Sequence, residues 1–202
     1  MRKLGILCLA IVLIFMLGGC AKMFISDETF ISNETFISDE FKQITEQKSA
    51  SMQEIWKIED EYEFISELSM HIAEKCDYGS NLDVLSDEEK VFYITQALEM
   101  EVNNGGFWQF LYNVEEDVFL NTVSAFSEIG AEKTAALCQT AFSAFGKDLP
   151  GDRVLRILFL SKVGMEECYE ILSEYDNLFY AYEEDLNKLN YTYVQNHADA
   201  FS

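Results

Sequence analysis

The sequence predicts an all-α protein, a compact multi-helix bundle that follows a lipoprotein signal and a flexible acidic tether. Three observations carry this expectation. From about Ser51 onward, apolar residues recur at spacings of three and four, the period of a helix face. No run shows the strict alternation and turn chemistry of a hairpin. A hydrophobic content of 49%, with 14% aromatic residues and one proline, is too apolar for a disordered chain despite its charge.

The first element, residues 1–19, reads as a lipoprotein signal peptide. Arg2 and Lys3 precede an uncharged apolar run, Leu4 to Leu17, and Gly18-Gly19-Cys20 closes it. At about fourteen residues the run falls short of the roughly 20 that a spanning helix needs, so a permanent transmembrane anchor is the weaker reading. A secretory signal with a chance cysteine is the other alternative. The small residues before Cys20 resemble the lipobox of bacterial lipoproteins. That resemblance implies a mature chain starting at lipidated Cys20, held to the cell membrane on its extracytoplasmic side. Each buried methylene of an acyl chain contributes about 0.8 kcal/mol to such anchoring.

Residues 20–51 form the second element, a tether. It contains Phe24-Ile25-Ser26-Asp27-Glu28-Thr29, Phe30-Ile31-Ser32-Asn33-Glu34-Thr35 and Phe36-Ile37-Ser38-Asp39-Glu40. A six-residue step turns about 240° on a helix, so the phenylalanines cannot share a helical face. Three copies are too few for a stacked-repeat solenoid. A duplicated flexible tether, its acids guarding the Phe-Ile pairs, is the expectation; a short adhesive strand is the alternative.

Residues 52–202 are expected to form the acidic helical domain. Ile55, Ile58, Tyr62, Ile65, Leu68 and Ile72 mark a first helical face. Ser86 with Glu89 makes a capping-box pattern, followed by Val91, Ile94, Leu98 and Val102. Phe119, Val123 and Phe126 mark a third helix ended by Gly130. Cys138, Ala141, Phe142 and Phe145 mark a fourth ended by Gly146. Pro150-Gly151 reads as a turn, with Asp152 as a cap for Arg153 to Val163. A long last helix is expected through Cys168, Ile171, Leu172, Tyr175, Phe179, Tyr182, Leu186 and Leu189.

The charge narrows the partners. Lys and Arg number 14 against 36 Asp and Glu, a formal net charge of -22, and two of the basic residues lie in the signal. Such a chain is repelled by nucleic acid and by anionic headgroups, so direct nucleic-acid binding is excluded and membrane contact is left to the lipid on Cys20. Cations and basic protein surfaces are attracted. Cys8 falls in the signal; Cys76, Cys138 and Cys168 show no CxxC spacing. An oxidising compartment permits a disulfide between two of them. Cys138 and Cys168 fall on core faces of helices and are expected as small buried residues. His71 and His197 are isolated, so no metal site is expected, and no cofactor.

Between the second and third helices stands Glu101-Val102-Asn103-Asn104-Gly105-Gly106-Phe107-Trp108-Gln109-Phe110-Leu111-Tyr112-Asn113. Asn104 and Gly105-Gly106 permit a positive φ and a sharp break. Phe107, Phe110 and Leu111 resume helical spacing at once. Asn103, Gln109 and Asn113 are expected to bond the amide and carbonyl groups freed at the break.

This stretch resembles the DNA-mimic protein (DMP) family, in particular its C-terminal domain. The likeness continues through Ile129-Gly130-Ala131, the Pro150 to Arg153 turn and Leu178-Phe179-Tyr180 to Phe201, covering roughly Ile55 to Phe201. The resemblance implies a helical, often dimeric protein whose carboxylates stand in for DNA phosphates on a regulator's basic surface. It leaves a homodimer open here. The clusters suited to that role are Glu115-Glu116-Asp117, Glu166-Glu167 with Glu170, and Glu183-Glu184-Asp185, each also readable as a solvated helix face or start.

No Gly-x-Ser-x-Gly, His-Glu-x-x-His, P-loop, Gly-x-Gly-x-x-Gly or EF-hand pattern occurs. The expectation is a non-enzymatic, lipid-anchored protein that binds a basic or cationic protein partner. The alternative is a cytosolic DNA mimic that blocks a DNA-binding protein.

Overall fold

The helix starts are written into short side chains. Ser86 Oγ accepts the Glu89 amide at 3.0 Å, and the Glu89 carboxylate accepts the Ser86 amide at 2.9 Å, the capping box that the sequence predicts. Asp152 Oδ1 accepts the Leu155 amide at 2.8 Å, and Asp60 Oδ1 accepts those of Tyr62 and Glu63 at 3.0 Å. In this computed structural model residues 49–201 are described. The expected signal peptide, Cys20 and the Phe-Ile-Ser repeats lie outside the described residues.

Among the described residues there are eight α-helices and no strand: α1 (Met52–Ile55), α2 (Glu61–Lys75), α3 (Asp87–Asn113), α4 (Glu116–Glu128), α5 (Glu132–Ser143), α6 (Arg153–Val163), α7 (Met165–Tyr180) and α8 (Leu186–Asn196). Two 3₁₀ turns, Leu82–Val84 and Ala198–Ala200, complete the set. The domain is an all-α bundle. Its axis is α3, which packs against α2, α4, α6, α7 and α8.

Two expectations about helix extent need correction. The face from Ile55 to Ile72 belongs to two helices, because Asp60 starts α2 afresh and leaves Ile58 in the link. Phe64, Ile65, Leu68 and Ile72 then face the core and Tyr62 points away, 67% exposed. The long last helix is likewise two. α7 stops at Tyr180, Tyr182 adopts φ 45°, and Asp185 Oδ1 accepts the Lys188 amide at 2.9 Å to start α8. The helix before Gly130 ends as expected. With Gly130 at φ 84°, its amide reaches Ser127 O at 3.0 Å and that of Ala131 reaches Phe126 O at 2.8 Å.

The core is aromatic where α3, α4, α5 and α7 meet. Phe142 stacks on Phe110 at 5.8 Å and lies 5.0 Å from Phe119, while Phe107 meets Phe179 edge-on at 6.0 Å. Cys76, Cys138 and Cys168 are buried free thiols in this core.

Among the described residues three charged side chains are buried with it: Glu89, Arg156 and Glu101, the last at the break in α3. Glu89, in its capping box, also takes the Lys75 ammonium at 2.7 Å. Arg156 is fully buried, and among the described residues no carboxylate pairs with it. Its guanidinium donates instead to the carbonyls of Leu111 at 2.7 Å, Gly151 at 2.5 Å, Pro150 at 3.3 Å and Val114, and it covers the Phe119 ring at 4.5 Å. One arginine thus closes the end of α3 and the turn before α6. α6 itself contains no acidic residue and leaves Val154, Leu155 and Leu158 exposed.

Candidate partner-binding surface

Gly105 (φ -162°, ψ 24°) and Gly106 (φ 73°, ψ -179°) break α3 at the Asn-Asn-Gly-Gly-Phe element. Both need to be glycine. A Cβ on Gly105 would run into the Gln109 side chain, and one on Gly106 would stand 2.5 Å from Asp176 Oδ2, at a positive φ. Freed by the break, the Phe107 amide donates to Asp176 Oδ1 at 2.7 Å. Tyr180, one turn further along α7, donates its hydroxyl to the Val102 carbonyl at 2.8 Å. Burial raises the Asp176 carboxyl above its ordinary value, against the Phe107 hydrogen bond.

The amides expected to cap this break do other work. Gln109 Nε2 and Asn113 Nδ2 each donate at 2.9 Å to Glu101 Oε2, a buried carboxylate on the preceding half of α3. They clamp the two halves together across the break. Asn103 Nδ2 donates to the Tyr182 hydroxyl at 2.6 Å, which in turn donates to Glu99 Oε1 at 2.9 Å. Burial, then the Glu99 charge, pushes the Tyr182 phenol up to about 12. Asn104 is exposed and Phe107 fully buried. The break itself matches the sequence expectation. The sequence signal for its partners Asp176 and Tyr180 is only their spacing of four, which puts them on one face of α7.

The acidic clusters occupy three separate places. Glu115, Glu116 and Asp117 begin α4, and Arg153 Nη1 reaches Glu115 Oε1 at 3.3 Å. Glu166 and Glu167 lie in the first turn of α7, with Glu170 one turn on, all exposed. Glu183, Glu184 and Asp185 fill the link from α7 to α8, and all three are engaged. Glu183 pairs with Lys133 at 3.1 Å and Asp185 caps α8. Glu184 accepts the amides of Lys133 at 3.1 Å and Thr134 at 2.8 Å and the Thr134 hydroxyl at 2.8 Å. It caps α5 from outside, because Ala131 at the N-cap has no side-chain acceptor. Burial works to raise this carboxyl, but those bonds and the Lys133 charge outweigh it and hold it below its ordinary value. Glu116, Asp117, Glu166, Glu167 and Glu170 are exposed and hold no ion pair among the described residues.

A groove of about 380 Å³ runs between the Leu82–Val84 turn, the start of α3 and α4. Among the described residues Asp83, Asp87, Asp117 and Glu128 line it, with Lys90 as the one cation and Leu82, Val91, Ile94 and Ala125 as apolar wall. Of these acids, Asp117 alone belongs to an acidic cluster visible in the sequence.

Fold and surface together define an acidic helical-bundle protein, broken at a double glycine and faced with carboxylates. Residues 83–197 match the model of the DMP19-like protein family, and the chain belongs to that family of DNA-mimic proteins. The match takes in the broken helix α3, all of the groove except Leu82, and all three acidic clusters. It begins well after Ile55, the start expected from the resemblance in sequence. No curated protein and no solved structure matches the chain.

Proposed function

We propose that the protein is a non-enzymatic lipoprotein, anchored through lipid on Cys20, whose helical domain binds a basic protein partner in the manner of a DNA surrogate. The observation that carries this reading is the set of carboxylates left unspent by the fold. Glu116, Asp117, Glu166, Glu167 and Glu170 remain available on a chain of net charge -22. A protein surface built to neutralise phosphates meets such carboxylates through the same electrostatic attraction that governs DNA binding. The complex is therefore expected to weaken steeply with added salt.

A second copy is the other partner. α6, free of acidic residues and exposing Val154, Leu155 and Leu158, is where two such copies approach with least repulsion.

Pull-down from cells with the wild type and with Glu166→Gln, Glu167→Gln and Glu170→Gln combined tests the surface. Equal capture of partners by both would remove this cluster from the interface. Palmitate labelling with a Cys20→Ala control tests the anchor. Family membership favours a second reading, a cytosolic mimic that blocks a DNA-binding protein. Unlabelled protein in the cytosolic fraction would select it.

A further inference from the structure

We propose that residues 107–181 swing as one body against the rest of the domain, on a paired hinge made by the break in α3 and the link from α7 to α8. The chain passes between the two bodies twice. α1, α2, the first part of α3 and, after the link, α8 with the Ala198–Ala200 turn form a base. The second part of α3 and α4 to α7 form an insert. Its two ends lie side by side, since Tyr180 bonds the Val102 carbonyl at 2.8 Å and the Tyr182 hydroxyl accepts from Asn103 at 2.6 Å. Each crossing carries a residue of positive φ, Gly106 at 73° and Tyr182 at 45°. That conformation is strained for a tyrosine. A few residues at the ends of elements, able to absorb such backbone angles, are what a hinge is made of.

The contacts sort themselves by body. In the base, Phe64 meets Trp56 and Tyr191, each at 5.3 Å, and Phe92 meets Phe201 at 6.0 Å. In the insert, Phe142 gathers Phe107, Phe110 and Phe119. Ion pairs divide likewise: Lys75–Glu89 and Lys188–Glu61 lie in the base, Arg153–Glu115 in the insert. Hydrogen bonds from one body to the other gather at the crossings. Gln109 and Asn113 hold Glu101, Tyr180 holds Val102, and Glu184 reaches the start of α5. The Tyr182 hydroxyl ties the crossings together, because its own backbone forms the link while Asn103 stands just before the break.

Away from the crossings the bodies meet where α4 lies along α3, with Ile94 and Ala125 in the groove wall. Apolar packing of this kind is non-directional and fixes no angle. Asp83 and Asp87 of the base line the groove with Asp117 and Glu128 of the insert, and Lys90 is paired with Asp87 at 3.5 Å. Like charges therefore oppose closure there. At the far end the Glu128 carboxylate approaches the buried Tyr193 phenol, which burial and then that charge raise, yet the hydroxyl lacks a hydrogen bond of normal geometry. A seam drawn fully shut would not leave it so. The swing sets the width of the groove and, with it, the spacing of carboxylates on the base from those on the insert. This holds whatever that surface binds.

The test uses the full chain in detergent, in a Cys8→Ser, Cys20→Ser background whose remaining cysteines are buried. Spin labels are placed at pairs of exposed positions changed to cysteine, and pulsed electron resonance reads their distance distributions. Glu63 with Gln139 spans the seam, Glu63 with Gln195 stays in the base, and Gln139 with Ser161 stays in the insert. Tyr182→Phe and Asn103→Ala each cut the tie at a different end, and thermal unfolding checks that each variant is folded. Both are expected to broaden the distribution across the seam about twofold and to leave the two internal pairs unchanged. A distribution across the seam that neither substitution broadens, or one that broadens together with both internal pairs, would overturn the hinge.

Discussion

The Asp176 carboxylate accepts the Phe107 amide at 2.7 Å, from a different helix, at the point where α3 loses its own hydrogen-bond ladder. The acceptor that a continuous helix would supply from within is supplied here by α7. The break in α3 and the docking of α7 are therefore one event.

Gly106→Ala should lower stability by about 1–3 kcal/mol, since it adds both a strained φ and a clash with Asp176. Asp176→Ala should cost a similar ~1–3 kcal/mol by stranding the Phe107 amide. Urea unfolding of the two single variants and the double variant checks this. The double should lose less than the sum, because both changes act on one contact.

Stability should respond to pH with opposite signs at two carboxyls. Burial, against the hydrogen bonds of Asn113 and Gln109 and the Arg153 charge, raises Glu101. A carboxyl raised on folding holds its proton more tightly in the native state. Its contribution is whole below the unfolded pKa and falls as pH rises through the raised value. Relative to Glu101→Gln, the wild type should lose unfolding free energy as pH rises from the ordinary glutamate value of about 4.3 through the raised one.

Glu184 runs the other way, because its folded pKa is lowered. Its contribution is present above the unfolded pKa and is lost as pH falls through the folded one. Glu184→Gln should cost about 1 kcal/mol at neutral pH, the size of a lost helix cap, with the difference closing in acid. Chemical denaturation at a series of pH values reads both variants.

Arg156→Lys should destabilise by about 2–4 kcal/mol despite keeping the charge, since an ammonium cannot reach carbonyls from Leu111, Val114 and Gly151 at once. Burial, then the Arg153 charge, already lowers this guanidinium to about 10. Thermal unfolding, with crystal or NMR data on the 149–152 turn, measures the loss.

In a Cys8→Ser, Cys20→Ser variant, the three remaining thiols should react with an aromatic disulfide reagent only after unfolding. Cys76, Cys138 and Cys168 are buried, and burial raises each thiol, Cys138 furthest. Labelling in native buffer and in denaturant, followed by absorbance, distinguishes this from surface cysteines.

Local signals in the sequence were legible because their chemistry is local. Ser86 with Glu89, Asp152 and Gly130 each act within a turn of themselves, and the double glycine announces its own break. The gap between α7 and α8 was hidden, since Tyr175, Phe179, Tyr182, Leu186 and Leu189 keep helical period straight through it. What opens it is distant: Glu184 is drawn to the start of α5 and Tyr182 to Glu99. The same distance hid Asp176 and Arg156, whose partners lie 69 and 45 residues away. The groove is assembled from residues as far apart as Asp83 and Glu128, so its carboxylates never formed a run in the sequence.

With the proposed basic partner and second copy, the bare face of α6 would give salt two contrary effects. Ions that loosened the grip on a cationic surface would also quiet the mutual repulsion of the copies, leaving Val154, Leu155 and Leu158 free to meet their equivalents. Ionic strength would then act as a selector, favouring unlike association when dilute and like association when concentrated.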